Sequence, residues 1–500
     1  MKGIRKEDRC FMEALYTTTG MTIRPFKRSK LERFYRSRCV FIKPLHRFEG
    51  VTAHIVNDGT GGKVLCTYPC DPDWLKREVP DMVISKMKPN HVEDIEQDFE
   101  LNEGIIPTDL QESVVRDVIN YDVRQAFFNI PTGAGKTLLS TYLISLLKKK
   151  TWIICFRQEV LNQWKRTMEE MTTFNIERIR LVNSSKDLLK MADGSWDASK
   201  YDIYLSTPII LATFAQRHGL SLLNDAFDTC GIGIKIFDEA HYNVGNLVKI
   251  NALTNVERTY YLSADFGQSD SQKSKLYAQM FSRIPVVRPN ESLALTMRYT
   301  VGVVIHYNTN PSLASIDACF GTYGFSHYKF MEYEIEKPQF MDAIGLVLAQ
   351  IRRADPDFKY KVLILWNLID HVDFFYDILK EKIDSIYGEK APNVVRYHSK
   401  LTKEERRDAL DKGEIIISTY QSMSVGVDLK RIRYVISLAP VSHIEDNQAA
   451  GRARALPNGE DCFYFIFQDD GFPYLQKRLP YRLQYLEQQK IKKIYSIKYS

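Results

Sequence analysis

Two groups of residues in this chain have the types and spacing for chemistry on a phosphate ester. The first is a lysine behind a glycine turn, Pro131-Thr132-Gly133-Ala134-Gly135-Lys136-Thr137, and the second a carboxylate pair in Ile234-Lys235-Ile236-Phe237-Asp238-Glu239-Ala240-His241. Gly133 and Gly135 let successive backbone N–H groups turn inward around phosphate oxygens, Lys136 reaches the terminal phosphates, and Thr137 offers its hydroxyl to Mg²⁺. Asp238 would hold that Mg²⁺ through water, and Glu239 would polarise an attacking water. Taken singly, the glycine run could be a tight turn before a helix. Its pairing with the Asp-Glu run predicts a nucleotide-hydrolysing site.

Such groups need elements that bring them together. Leu138, Leu139, Tyr142, Leu143, Leu146 and Leu147 recur at helical spacing straight after the lysine, so the positive end of a helix should face the phosphates. The run Lys148–Lys150 closes that helix. Short apolar strands alternate with helical patterns at Ala126–Ile130, Trp152–Phe156, Ile203–Ser206, Ile232–Phe237 and Tyr260–Ser263. The alternation restarts with strands at Val362–Trp366, Val394–Tyr397, Ile415–Ser418, Tyr434–Leu438 and Cys462–Phe467, separated by helices such as Val372–Ile383 and Lys403–Leu410. This pattern predicts two similar α/β units in tandem, each a parallel sheet wrapped by helices. The expected divisions are 1–100, a small basic N-terminal α+β domain; 101–285, the nucleotide-binding unit; 286–340, a linker or small β element; 341–470, the second unit; and 471–500, a basic helical tail. Strands are expected in the first region at Cys39–Ile42, Val51–Val56 and Lys63–Thr67, and the acidic stretch Glu93–Glu103 marks its end.

The chain has 500 residues, ample for several cores, and a net charge of +6. Residues 1–50 alone carry a surplus of eight positive charges, 13 Lys and Arg against five Asp and Glu. A second basic stretch interleaves Lys477, Arg478, Arg482, Lys490, Lys492, Lys493 and Lys498 with Tyr474, Tyr481, Tyr485, Tyr495 and Tyr499. Basic residues among aromatics suit phosphate neutralisation and base stacking, although a solvated helix face has the same composition. The eight cysteines are scattered singly, several within apolar strand patterns, which fits reduced thiols in an intracellular, cytoplasmic setting rather than a disulfide framework. Neither a signal peptide nor a membrane span is visible. Cys39, His46, His54, Cys66 and Cys70 lack regular ligand spacing, so no zinc site is expected.

In order and spacing these motifs resemble the superfamily 2 helicases and translocases over roughly residues 105–470. Within that class the Asp-Glu-Ala-His box is most similar to phage branch-migration helicases, XPB-type helicases and poxvirus transcript-release helicases. The resemblance implies two RecA-like domains, with ATP and Mg²⁺ as cofactors and nucleic acid as partner. DNA is favoured over RNA, in replication, recombination or repair, and a viral or phage origin would place it in the host cytoplasm. Protein partners and assembly stay open, a monomer included.

The resemblance also implies roles for particular residues. Gln111 would read the adenine edge, although Pro107-Thr108-Asp109-Leu110 is not the usual context. Arg157 and Gln163, in Phe156-Arg157-Gln158-Glu159-Val160-Leu161-Asn162-Gln163-Trp164, and Thr207, after Ser206, would meet the nucleic-acid backbone, as would Thr419 in the second unit. Trp164 itself reads as core packing. Gly426 and Asp428, in Val425-Gly426-Val427-Asp428-Leu429, would face the ribose and γ-phosphate. Gln448, Arg452 and Arg454, in Gln448-Ala449-Ala450-Gly451-Arg452-Ala453-Arg454, resemble the motif that places arginines over the γ-phosphate. Here Arg454 comes one position early, and Ala455 stands where the second arginine is usual. Asp265, after Ser263-Ala264, replaces the threonine of the element that couples hydrolysis to movement. These two departures keep open a nucleic-acid-binding protein with a decayed ATPase, and a nucleic-acid-stimulated ATPase that remodels complexes without separating strands is a further alternative.

Overall fold

The computed structural model describes residues 11–499 apart from 43–45, 131–134, 264–270, 288–298, 322–323, 425–430, 442, 454–455, 457–458 and 489–490. It divides into two compact units between residues 293 and 294.

The first unit opens with β1 (Glu13–Tyr16), β2 (Met21–Arg24), α1 (Arg28–Arg36), β3 (Cys39–Ile42), β4 (Arg47–Gly50), β5 (Ala53–Asn57), β6 (Lys63–Thr67), α2 (Pro72–Glu78) and β7 (Val83–Lys86). Five of these strands form a mixed sheet in the order β5-β6-β2-β1-β7, and β3 and β4 make a separate hairpin. After it come α3 (Asp109–Asn120), β8 (Gln125–Asn129), α4 (Lys136–Leu147), β9 (Thr151–Cys155), α5 (Gln158–Met171), β10 (Ile179–Leu181), α6 (Ser185–Ala192), β11 (Ile203–Ser206), α7 (Pro208–His218), α8 (Leu220–Thr229), β12 (Ile234–Asp238), α9 (Val244–Leu253), β13 (Arg258–Ser263), α10 (Ser271–Phe281) and β14 (Val286–Val287). The seven strands form a parallel sheet, β10-β11-β9-β12-β13-β8-β14. Strands covered on both faces read as unbroken apolar runs, and β9 is buried at all five positions.

The N-terminal sheet does not stand apart from this α/β sheet. Val56, Val64 and Cys66 share one apolar core with Leu247, Val248 and Ile250 of α9. Thr17 donates its hydroxyl to the carbonyl of Asn251 at 2.7 Å, and Gln125 donates to the carbonyl of Thr18 at 2.8 Å. Contact is so close that a Cβ on Gly20 would lie 2.5 Å from the Ala252 backbone. The acidic stretch after β7 is likewise held down: Lys150 pairs with Glu93 at 2.5 Å, Lys149 with Asp94 at 2.6 Å, and Phe99 packs on Phe174. Its carboxylates neutralise the lysines that end α4.

The second unit contains β15 (Thr300–Tyr307), α11 (Leu313–Ala318), β16 (Phe320–Gly321), β17 (Gly324–Phe325), α12 (His327–Glu334), α13 (Pro338–Ala354), β18 (Lys361–Trp366), α14 (Ile369–Tyr387), β19 (Val394–Tyr397), α15 (Lys403–Lys412), β20 (Ile415–Thr419), α16 (Tyr420–Ser424), β21 (Ile432–Ser437), α17 (His443–Ala450), β22 (Cys462–Asp469), α18 (Pro473–Gln488) and β23 (Lys493–Lys498). Its sheet runs β19-β20-β18-β21-β22-β15-β23 and is again parallel. Counting strands from the start of each sheet, both units have the same spatial order, 3-4-2-5-6-1-7. The fold is thus two tandem RecA-like α/β units with a small α+β region ahead of them.

Two stretches differ from the sequence reading. The region expected as a linker contributes β14 to the first sheet and β15 to the interior of the second, where Val304 is fully buried. The basic tail is not helical throughout: after α18 the chain returns as β23 and pairs with β15. Alternating Lys493, Tyr495 and Ile497 suit an edge strand, where one row of backbone groups stays unpaired and charge deters further pairing. Among the described residues no helix is long and apolar enough to cross a membrane.

Candidate nucleotide and nucleic-acid site

The chemical residues of the first unit gather at the carboxyl ends of its parallel strands, the usual ligand side of such sheets. Gly135, at φ +75°, turns the chain into α4, and Lys136 and Thr137 are the first two residues of that helix. Glycine is required here, because a Cβ would add left-handed strain and sit 2.4 Å from the Gln111 amide nitrogen. Pro131, Thr132, Gly133 and Ala134 lie outside the described residues.

Lys136 Nζ donates to Glu239 Oε1 at 2.5 Å, with both side chains nearly buried, 11% and 12% exposed. Glu239 itself has φ +47°, a strained setting for a non-glycine residue, at the point where the chain leaves β12. Its backbone N–H donates to Asp238 Oδ1 at 2.9 Å. Burial, then the adjacent Glu239, pushes the Asp238 carboxyl above its ordinary range, against the opposing pull of Lys136 and of a hydrogen bond from Trp164.

A second line of contacts runs outward from Glu239. His241 Nδ1 lies 3.4 Å from Glu239 Oε2 and shares a 2.7 Å hydrogen bond with Ser263 Oγ. The carbonyl of Ser263 accepts from the Ile130 N–H at 3.1 Å, and the Ala240 N–H donates to the Leu262 carbonyl at 2.9 Å. The ends of β8, β12 and β13 are therefore tied to one another around Ser263. Asp265 lies outside the described residues.

Gln111 is buried at the start of α3, not exposed. Its amide oxygen accepts from the Thr108 N–H at 2.9 Å in a capping box, and its amide nitrogen donates to the Gly135 carbonyl at 3.2 Å. The side chain proposed to read adenine thus also anchors the glycine turn. Arg157 precedes α5 and Gln163 is half-buried within it. Thr207 is the residue before α7 and uses no side-chain cap, which leaves the helix start to its backbone N–H groups.

Trp164 is the residue that sequence reasoning assigned to packing and the structure assigns a second task. It is 1% exposed, and its indole N–H donates to Asp238 Oδ2 at 2.9 Å. A signal existed: a tryptophan on the apolar face of an amphipathic helix must bury a donor, and that donor needs an acceptor.

In the second unit Thr419 closes β20, but it is 3% exposed, and its hydroxyl donates to Ser422 Oγ at 2.8 Å while accepting from the Ser422 N–H at 2.9 Å. That hydroxyl is spent on starting α16 rather than turned outward. Gln448 in α17 and Arg452 just after it are both buried. Gly426, Asp428 and Arg454 lie outside the described residues. α17 is braced by the C-terminal helix: Arg482 of α18 forms an ion pair with Asp446, which also accepts from Tyr464 Oη at 2.5 Å, and Arg482 donates to Ser437 Oγ at 2.8 Å. One of the basic residues read as a possible phosphate ligand is therefore a nearly buried structural cation.

Comparison with known proteins gives the same two blocks. Residues 104–264 match the family described as type III restriction enzyme, res subunit, and residues 345–455 match the helicase conserved C-terminal domain. The chain is 25% identical over 340 residues to the transcript termination protein A18 of Yaba-like disease virus, a match covering 65% of this chain and 63% of that protein. The match thus spans less than two thirds of the relative's length. Among solved structures, Dbp5 of S. cerevisiae bound to RNA and ADP BeF3 superposes with a TM-score of 0.53 at 13% identity, covering 78% of this chain and 90% of that one. Mss116p bound to single-stranded RNA and AMP-PNP does so with a TM-score of 0.51 at 17% identity, covering 79% and 75%. With these two blocks in order on two tandem RecA-like units, the chain belongs to the superfamily 2 helicases.

Proposed function

We propose that the protein is an ATP-driven motor that moves along nucleic acid, and that hydrolysis takes place on the first unit at Lys136, Asp238 and Glu239. The observation that carries this reading is the nearly buried Lys136–Glu239 pair beside the desolvated Asp238. Two adjacent carboxylates share one lysine, and their mutual repulsion favours a divalent cation at Asp238. The donor set thus fits Mg²⁺ with ATP, which would be held by Gly135, Lys136, Thr137 and the rest of the glycine turn, Pro131 to Ala134, with Gln111 at the adenine and Gly426 and Asp428 at the ribose and γ-phosphate. When bound, the ion neutralises charge on the phosphates. Lys136 moves from Glu239 to the phosphates, which frees Glu239 to orient water. Loss of the Glu239 contact is passed through His241 to Ser263 and so to the ends of three strands.

Arg157 ahead of α5, Gln163 within it and Thr207 ahead of α7 are the proposed phosphate contacts, and Thr419 serves only if its bond to Ser422 opens. Gln448, Arg452 and Arg454 are proposed to complete the site during hydrolysis, as in other motors that tie chemistry to movement. Backbone contacts of this kind give salt-dependent binding with little sequence preference.

DNA is the proposed track. A second reading, release or remodelling of a transcript, is favoured by the poxvirus relative, which is named for transcript termination. Steady-state ATP hydrolysis with single-stranded DNA, branched DNA and RNA, with Lys136→Ala as blank, tests both. Stimulation by DNA that disappears in the variant supports the first reading, and stimulation by RNA alone supports the second. No hydrolysis with any polymer refutes the motor and leaves a nucleic-acid-binding protein with a decayed ATPase.

A further inference from the structure

Within the first unit, where the N-terminal sheet meets α9 and α10, lies a cavity of about 510 Å³. It is far from featureless. Arg38, just before β3, lines it at 5% exposure, with its guanidinium over the rings of Phe34 and Tyr68 at 3.7 and 4.6 Å. One terminal nitrogen donates to the Phe34 carbonyl at 3.3 Å and to Ser37 Oγ at 3.1 Å, while Nε has no partner among the described residues. Tyr68, also lining the cavity and 8% exposed, has a hydroxyl that is likewise without a partner among the described residues.

A buried guanidinium normally faces a carboxylate. Among the described residues none forms an ion pair with Arg38. Burial disfavours its charge, and the groups that favour that charge are Tyr68, Cys70, Tyr16 and Cys39, all weak acids. Arg283, exposed after α10, lines the same cavity, and its charge favours the ionised forms of Tyr68 and Cys70. Asp71 also lines the cavity, with its carboxylate engaged by the Asp73 N–H at 2.9 Å as the cap of α2. Left as it stands, the arrangement buries a cation and a hydroxyl at a cost that an anion would remove.

We propose that this cavity is a phosphate-binding site, separate from the motor site, that takes the phosphate monoester of a nucleotide or strand end, or free phosphate, on Arg38, Tyr68 and Arg283. The arginine fork matches phosphate oxygens, the tyrosine adds a neutral donor, and the volume lies within the range of small-ligand pockets.

The full chain carrying Lys136→Ala, which silences the glycine turn, is titrated with inorganic phosphate by calorimetry. Saturable binding is expected. Arg38→Met should weaken it roughly tenfold or more, and Tyr68→Phe, which removes only an unpartnered oxygen and cannot unfold the sheet, by about threefold. A 5′-phosphorylated oligonucleotide that binds more tightly than free phosphate, and more tightly than its unphosphorylated twin, assigns the site to strand ends; equal affinity for phosphate alone assigns it to free phosphate. Absence of saturable phosphate binding, or unchanged affinity in both Arg38→Met and Tyr68→Phe, overturns the proposal. In the chain that keeps Lys136, ATP hydrolysis should survive Tyr68→Phe, so failure here is distinct from failure of the motor reading.

Discussion

The indole Nε1–H of Trp164, midway along α5, donates a 2.9 Å hydrogen bond to Oδ2 of Asp238 at the end of β12. α5 starts just after Arg157, so the helix whose first turn is proposed to meet nucleic acid has its buried face on the proposed metal-side carboxylate. Trp164→Phe keeps a ring in the core and deletes the donor. It is expected to lower kcat for ATP hydrolysis roughly tenfold and to raise the Mg²⁺ concentration needed for half-maximal rate, as loss of an outer partner of a metal ligand does. A Mg²⁺ titration checks this, with melting temperature as the folding control; an unchanged Mg²⁺ dependence would reduce the bond to packing.

Lys136 and Glu239 neutralise each other in a nearly water-free setting. Lys136→Ala or Glu239→Gln should each abolish hydrolysis. In thermal melts the double variant should be less damaged than the two losses added together, with a coupling of about 1–3 kcal/mol, because each single change strands the other partner. Simple additivity would show that water already screens the pair.

Lys235 is fully buried in β12, donates to Thr254 Oγ1 at 2.8 Å, and is pulled down by burial from 10.5 to about 7. Between those values the unfolded chain holds a proton that the folded chain has released. Folding stability therefore rises with pH across this window and is lost as pH falls toward 7. Lys235→Met should melt higher at pH 7, by about 2–4 kcal/mol in free energy, and the gap between variant and parent should narrow from pH 7 to pH 9. A gap independent of pH would mean that the lysine stays charged.

Arg482 is not among the residues proposed to bind nucleotide, yet its ion pair with Asp446 anchors α17 two residues before Gln448. Arg482→Met should destabilise the second unit by about 3–5 kcal/mol, since it leaves a buried carboxylate uncompensated. It should also depress hydrolysis, and the further change Asp446→Asn should restore part of the stability. Differential scanning calorimetry and ATP turnover check the two effects; hydrolysis that survives a lowered melting transition would detach α17 from the chemistry.

Much of the fold was legible because its signals are local. Apolar runs located ten of the strands in the two parallel sheets, and the restart of alternation announced two units. The second unit's β15 was taken for part of a linker, and β23 for tail. Each pairs with a strand far away in sequence, and the run Thr300–Tyr307 is apolar in a way that a connector of small β elements also allows. The N-terminal strands were read, but not their docking on α9, which rests on complementary surfaces and on Gly20 lying against Ala252.

By itself the sequence determined which groups could carry the reaction, because Gly135-Lys136-Thr137 and Asp238-Glu239 declare their chemistry through residue type and spacing alone. It determined the family for the same reason. Tertiary structure alone decided what those groups touch: that Lys136 rests on Glu239, that Trp164 holds Asp238, that Thr419 spends its hydroxyl on Ser422, and that Arg482 is a structural cation while Arg38 faces a cavity. Burial and partner are properties of the three-dimensional arrangement. A charged or hydrogen-bonding side chain has one identity in a sequence but takes its role from the water it loses and the atoms that replace it.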